Sequence, residues 1–97
     1  MSRPQDPVPV TGWYVLIEET VGGGDSQRWS LTTIRRFANR DEARWHAADF
    51  ARTYQPRHPA MPRNRRVFKI GEDSWVVYIE GAMRTYHFRI FVAQSEE

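Results

Sequence analysis

The 97-residue sequence contains no cysteine, and this absence excludes several kinds of chemistry. Without thiols the chain can form neither a disulfide framework nor a thiolate zinc site, and it has no thiol nucleophile. It also lacks any run near the roughly 20 apolar residues that a membrane-spanning helix needs, and its first residues contain no apolar segment typical of a signal peptide. We therefore expect a cytoplasmic protein with no membrane partner.

Lysine is scarce as well, because Lys69 is the only lysine among the 14 basic residues. The remaining basic residues are arginines, a bias typical of chains encoded by G+C-rich DNA, so their number alone does not indicate a nucleic-acid partner. Acidic residues are missing between Asp49 and Glu72, a segment that contains six basic residues. This local excess of positive charge makes the segment a candidate functional region.

What the sequence does contain is enough apolar surface for one folded domain. Hydrophobic residues make up 40% of the chain and aromatic residues 13%, which can offset the entropy lost on folding. Residues 1–11 include three prolines and no apolar periodicity, so they are expected to form a flexible arm. We expect a single domain over residues 12–94 and an acidic C-terminal tail over residues 95–97.

Five segments have the composition of β-strands. The pattern predicts a first strand over 13–20 that is buried on both faces, and a second over 28–37 with one wet face, near a sheet edge. Glycines between them predict a hairpin. Three more strands are expected at 66–70, 74–80 and 85–93, separated by tight turns.

One segment has the signals of a helix. Asn39 and Glu42 have the spacing of a capping box, and Pro56 is incompatible with a continuing helix, so a helix is predicted from about residue 40 to 54. The resulting order, ββαβββ, predicts an α+β domain in which a mostly antiparallel five-stranded sheet packs one helix on one face.

Two apolar surfaces are left over by this arrangement. On the predicted helix Trp45 points away from the core stripe, either as an anchor for a partner or as a side chain covered by the proline arm or by segment 55–66. One helix covers only one face of such a sheet, yet the first and fourth strands are apolar on both faces. The second face is expected to curl into a half-barrel, pair with another copy or receive a ligand. The residues predicted to bind a partner are Trp45, Arg52, Trp75 and Tyr78.

The basic segment 55–66 has two interpretations. Its prolines suit a stiff strap that spans the length of the helix and starts the next strand. Alternatively, its arginines contact phosphates while an aromatic ring stacks on a base. The residues predicted for that nucleic-acid interface are Arg57, His58, Arg63, Arg65, Arg66 and Lys69.

No catalytic or metal-binding constellation is recognisable. His46 lies one turn from Glu42 and Asp49, but no second histidine strengthens a metal site there. An enzyme or ligand carrier would need a closed pocket between helix and sheet near Tyr54, His87 and Arg89. We expect a protein that is not an enzyme and that binds no metal or cofactor.

The segments FANRDEARWHAADFARTYQPRHP and VYIEGAMRTYHFRIFVA resemble small uncharacterised proteins of actinobacteria, over about residues 13–93. The resemblance implies a bacterial, cytoplasmic setting and transfers no functional residue. The sequence as a whole predicts a small non-enzymatic binding or accessory module that uses an apolar sheet face or the helix surface, as a homodimer or with another protein. Nucleic-acid binding through residues 55–66 is the alternative.

Overall fold

The computed structural model describes residues 12–21, 27–56, 62–82 and 84–96. The predicted proline-rich arm, residues 1–11, lies outside these ranges. The described residues form five strands and one helix in the predicted order. The elements are β1 (Trp13–Val21), β2 (Arg28–Phe37), α1 (Arg40–Thr53), β3 (Pro62–Ile70), β4 (Ser74–Gly81) and β5 (Thr85–Gln94).

The strands form one sheet in the order β2-β1-β5-β4-β3, and every neighbouring pair is antiparallel. β1 and β5 lie in the middle of the sheet, which explains why β1 carries apolar residues on both faces. β2 and β3 are the edge strands, and α1 connects them by crossing one face. The α+β prediction, one helix packed on one face of a five-stranded sheet, is confirmed.

The core lies between α1 and this face of the sheet. Three alanines that recur every four residues, Ala43, Ala47 and Ala51, are completely buried. Their small side chains let the helix approach the sheet closely, where larger side chains of the strands fill the space. The largest fully buried side chains are Phe88, Ile17, Ile79, Ile90, Val15 and Val77.

Both ends of α1 form as the sequence predicts. The side-chain oxygen of Asn39 accepts a hydrogen bond of 2.8 Å from the backbone N–H of Glu42, which satisfies one of the first amides of the helix. At the other end the N–H of Tyr54 donates to the carbonyl of Phe50 at 2.8 Å, and the chain then becomes extended before Pro56.

Replacing Asn39 by alanine removes this cap and is expected to lower the free energy of unfolding by about 1 kcal/mol. Asn39→Asp, which keeps a side-chain acceptor at the start of the helix, is the control and is expected to retain nearly all of the stability. Urea unfolding followed by circular dichroism measures both variants. Equal losses in the two variants would mean that the hydrogen bond accepted from the Glu42 N–H is not what stabilises the helix.

Two arginines of α1 attach the start of the helix to the turn between β3 and β4. Arg40 Nη2 lies 2.9 Å from Asp73 Oδ2 and 3.1 Å from Glu72 Oε2. Arg44 Nε lies 3.5 Å from Asp73 Oδ1. These contacts fix where the helix begins its crossing of the sheet.

β3 begins earlier than predicted, at Pro62 rather than at residue 66. The prediction placed residues 62–65 in the strap, because the prolines of this segment suit a stiff extended connection. Proline is nevertheless compatible with the first residue of an edge strand, where its missing N–H costs no ladder hydrogen bond. The pairing with β4 is irregular between Pro62 and Asn64 and regular from there to Ile70.

β2 also differs from the predicted alternation. A bulge in its pairing with β1 leaves Thr32 as an extra residue between Thr33, opposite Ile17, and Leu31, opposite Glu18. Strict alternation along the strand would place Thr33 on the same face as Trp29 and Leu31. In the structure Thr33 is on the helix side, because the bulge shifts the alternation by one residue.

Candidate binding surface

The face of the sheet opposite α1 is here called the open face, because within the described part of the chain no helix packs on it. It carries the alternate residues of the strands, and the strand registers arrange these residues in rows that cross the sheet. The two central rows contain one residue from each of the five strands. Their composition defines the chemistry of the surface.

The first of these, the apolar row, has four large apolar side chains. The two at the sheet edges are mostly exposed, with Ile34 at 64% and Ile70 at 54% of their accessible surface. In order from β2 to β3 the row consists of Ile34, Leu16, Phe91, Ser74 and Ile70.

The second, the ion-pair row, is apolar at its edges and charged in the middle. It consists of Leu31, Glu18, Arg89, Val76 and Phe68. Arg89 Nε lies 3.1 Å from Glu18 Oε1, so the two central charges neutralise each other. Leu31 and Phe68 at the edges are exposed.

The guanidinium of Arg89 is also covered by an aromatic ring. Its central carbon lies 3.8 Å from the centroid of the Trp29 indole, a cation–π contact. His87 packs edge-on against the same indole, with ring centroids 5.1 Å apart. The charged centre of the open face is therefore fixed in place by packing.

Two shallow grooves flank the central strands of the open face. One, of about 330 Å³, has mostly apolar walls formed by Tyr14, Leu16, Ile34, Ala93, Gln94 and Ser95. The other, of about 310 Å³, lies towards β3 and is formed by Arg66, Phe68, Tyr78 and Glu80. Both are open to solvent and are wide enough to receive single side chains of another molecule.

The four residues predicted to bind a partner lie in three different places. Trp45 and Arg52 are on the outer side of α1, where Trp45 is 65% exposed. Tyr78 is on the open face, in line with Arg66. Trp75 is only 5% exposed, because it lies in the core beneath α1. The structure thus does not bring these residues together in one site.

The residues predicted to bind nucleic acid are also divided. Arg57, His58 and the side chain of Arg63 lie outside the described residues. Arg66 is on the open face, whereas Arg65 and Lys69 are on the helix side. Of these described basic residues, two therefore point to one side of the sheet and one to the other.

Arg65 makes internal hydrogen bonds that the sequence did not indicate. Its Nη1 donates to the carbonyl of Ala51 at 2.9 Å and its Nη2 to the carbonyl of Tyr54 at 2.6 Å, which satisfies acceptors at the end of α1. The guanidinium also lies 5.9 Å from the centroid of the Phe88 ring. Burial lowers the pKa of the Arg65 guanidinium from its usual value. It remains charged at neutral pH.

The pocket considered for an enzyme or a ligand carrier does not form from its three predicted residues. Tyr54 lies on the helix side and packs against Phe88, with ring centroids 5.3 Å apart. His87 and Arg89 lie on the opposite side of the sheet. His46, the histidine considered above for a metal site, stacks on Phe37, with ring centroids 4.4 Å apart.

A buried carboxyl group is a second polar feature that the sequence did not indicate. Glu19 is 5% exposed and faces α1, where it accepts hydrogen bonds from the hydroxyl groups of Thr32 and, at 2.6 Å, of Tyr54. The pKa of Tyr54 is raised above its ordinary value of 10.0, first because the hydroxyl is buried and then because it donates to Glu19. These residues connect the end of α1 to β1 and β2.

The apolar edge of β2 was also incompletely predicted, although the sequence contains a signal for it. Apart from Phe37 at its end, the apolar residues of β2 fall at 29, 31 and 34, which is a change from odd to even positions within one strand. Such a change indicates a bulge, and here it places Trp29, Leu31 and Ile34 on the same face.

Fold and surface together define a class: an α+β domain with one covered sheet face and one apolar open face. No protein-family model, curated protein or solved structure matches this chain. In the described residues, α1 falls short of the length and hydropathy that crossing a membrane requires.

Proposed function

We propose that this protein is a non-enzymatic binding module and that the open face is its binding surface. The observation that carries the proposal is the exposure of large apolar side chains at both edges of one sheet face. Leu31 and Ile34 lie at the β2 edge, and Phe68 and Ile70 lie at the β3 edge. Residues at both edges belong to the same two rows.

The size of this surface supports a binding role. Five strands about 4.8 Å apart, each with about four residues pointing to one side at intervals of about 6.8 Å, give a face of roughly 600 Å². Charged and polar side chains occupy part of this area, and the apolar remainder is comparable to the patches of a few hundred Å² through which soluble proteins commonly bind another molecule. A catalytic role has less support, because the central charged residues pair with each other.

Nucleic-acid binding through residues 55–66 has less support from the described residues. Arg65 is held against α1, and Lys69 lies with its ammonium 5.8 Å from the Trp75 ring. A salt-dependent nucleic-acid interface needs several such cations directed to one side.

Photo-crosslinking in expressing cells tests the proposal. The photoreactive amino acid p-benzoylphenylalanine replaces Phe68 on the open face or, as the matched control, Trp45 on the outer side of α1. We expect an adduct of defined mass at position 68 and none at position 45. An adduct at position 45 alone would move the binding surface to the helix, and an adduct at position 68 that nuclease shortens would favour nucleic acid.

A further inference from the structure

We infer that the occupant of the open face is a second copy of this chain, packed face to face about a two-fold axis that runs along β5. This inference rests on the proposed function, because it names the partner of the same surface. Two sheets packed in this way lie about 10 Å apart, with their strands within about 30° of each other.

A rotation about β5 places the two edges of the sheet opposite each other. It exchanges β2 with β3, and each row keeps its position along the strands because the axis is parallel to them. In the apolar row, Ile34 then faces Ile70 of the partner subunit. In the ion-pair row, Leu31 faces Phe68 of the partner subunit. Apolar side chains therefore meet apolar side chains at both edges.

The same rotation brings side chains of the partner subunit to both grooves. The groove formed by Tyr14, Leu16 and Ile34 lies near the β2 edge, at the level of Ile70 on the opposite edge. The protruding Ile70 of the partner subunit enters it. The second groove, which contains Arg66 and Tyr78, lies at the level of Trp29, so the partner subunit's Trp29 reaches its rim.

The centre of the open face can pack against the same region of the partner subunit. Phe91 belongs to β5 and therefore meets the partner's Phe91 at the axis, as an aromatic pair. Arg89 also belongs to β5, so the two Arg89 side chains meet at the axis, each beside its own Glu18, and the group of four charges has no net charge. Burial of such a group is tolerated when every charge keeps an opposite neighbour, which these pairs already supply.

Charge and area favour this occupant over a nucleic acid or an anionic membrane. Among the described residues, the charged side chains of the open face are two glutamates and three arginines: Glu18, Glu80, Arg36, Arg66 and Arg89. A nearly neutral, apolar surface gives a polyanion little to bind. Two faces of roughly 600 Å² bury about 1,200 Å² in total, which is the lower limit for a stable protein interface.

The oligomeric state is the first test. Light scattering coupled to size exclusion is expected to give twice the monomer mass for the wild type. Ile34→Glu is expected to weaken dimerisation at least about 100-fold, because the dimer would bury the new carboxylate twice. Trp45→Glu makes the same kind of change outside the face and is expected to leave the dimer intact.

Single cysteines test the direction of the axis, which is practical because the chain has no cysteine of its own. With a short bis-maleimide, a mixture of Ile34→Cys and Ile70→Cys is expected to crosslink efficiently, while either variant alone is not. Phe91→Cys, on the axis, is expected to crosslink to itself. A dimer in which Ile34→Cys links to itself instead would overturn this arrangement.

The results also separate this inference from the proposed function. A wild type that stays monomeric at the highest soluble concentration overturns the inference. If p-benzoylphenylalanine at position 68 then captures a different protein, the binding module stands and only the identity of the partner is wrong. A monomer that gives no adduct at position 68 ends both proposals.

Discussion

Replacement of Arg65 by methionine is expected to lower the free energy of unfolding by about 2–3 kcal/mol. Its guanidinium donates hydrogen bonds to two carbonyls at the end of α1, those of Ala51 and Tyr54. Methionine fills much of the same space but donates nothing, so both carbonyls lose a charged partner. The aliphatic part of the contact with Phe88 is retained, which limits the change to the polar interactions.

Arg52→Met is the matched control. Arg52 lies in the last turn of the same helix and is exposed, so the variant makes the same change in net charge near the same helix end. Its cost is expected to stay within about 0.5 kcal/mol. Urea unfolding of both variants at one protein concentration measures the difference. Similar losses would show that charge at the end of the helix matters and that the Arg65 hydrogen bonds do not.

The role of Arg65 shows that the composition of a segment does not reveal which way each of its side chains points. Within the run of arginines from 57 to 66, nothing in the sequence separates a guanidinium that faces a helix end from one that faces solvent. The distinction depends on strand pairing: Arg65 pairs with Ile79 on the helix side, and its neighbour Arg66 pairs with Tyr78 on the open face. Adjacent residues in a regularly paired part of a strand point to opposite sides.

The parts of the fold that depend on local chemistry were predictable. Asn39 caps α1 because its side chain reaches an amide three residues away, and Pro56 follows the helix end because its ring is incompatible with helical geometry. Both signals act within a few residues, so they can be read directly from the sequence. The same is true of the alternation in β5, where Phe88, Ile90 and Val92 are buried together.

Features that depend on distant parts of the chain were not predictable. The pairing of β1 with β5 joins residues that are far apart in the sequence, such as Leu16 and Phe91, and no local pattern specifies it. The bulge at Thr32 arises where that hydroxyl meets the Glu19 carboxylate on the neighbouring strand. The composition of the open face follows from both, because the order of the strands and the bulge decide which apolar residues lie side by side.

Tyr54→Phe is expected to lower the free energy of unfolding by about 2 kcal/mol at neutral pH. The variant removes the hydroxyl that donates to the buried Glu19 carboxylate at 2.6 Å and leaves the ring in contact with Phe88. The carboxylate then keeps the hydroxyl of Thr32 as its partner. Water cannot reach the buried carboxylate to replace the lost donor. The cost therefore exceeds that of losing an exposed hydrogen bond.

The same residue gives the stability a dependence on alkaline pH. Because burial and the hydrogen bond to Glu19 raise the pKa of Tyr54 above 10.0, the folded protein holds the phenolic proton more tightly than the unfolded chain does. The corresponding stabilisation is fully present below pH 10 and is lost as the pH rises through the folded-state pKa. Tyr54→Phe has no such proton, so its disadvantage relative to the wild type is expected to shrink above pH 10.

Urea unfolding between pH 7 and about pH 11 measures this difference, with Tyr14→Phe on the open face as the control. A constant difference between wild type and Tyr54→Phe across this range would mean that the Tyr54 proton does not contribute to folding.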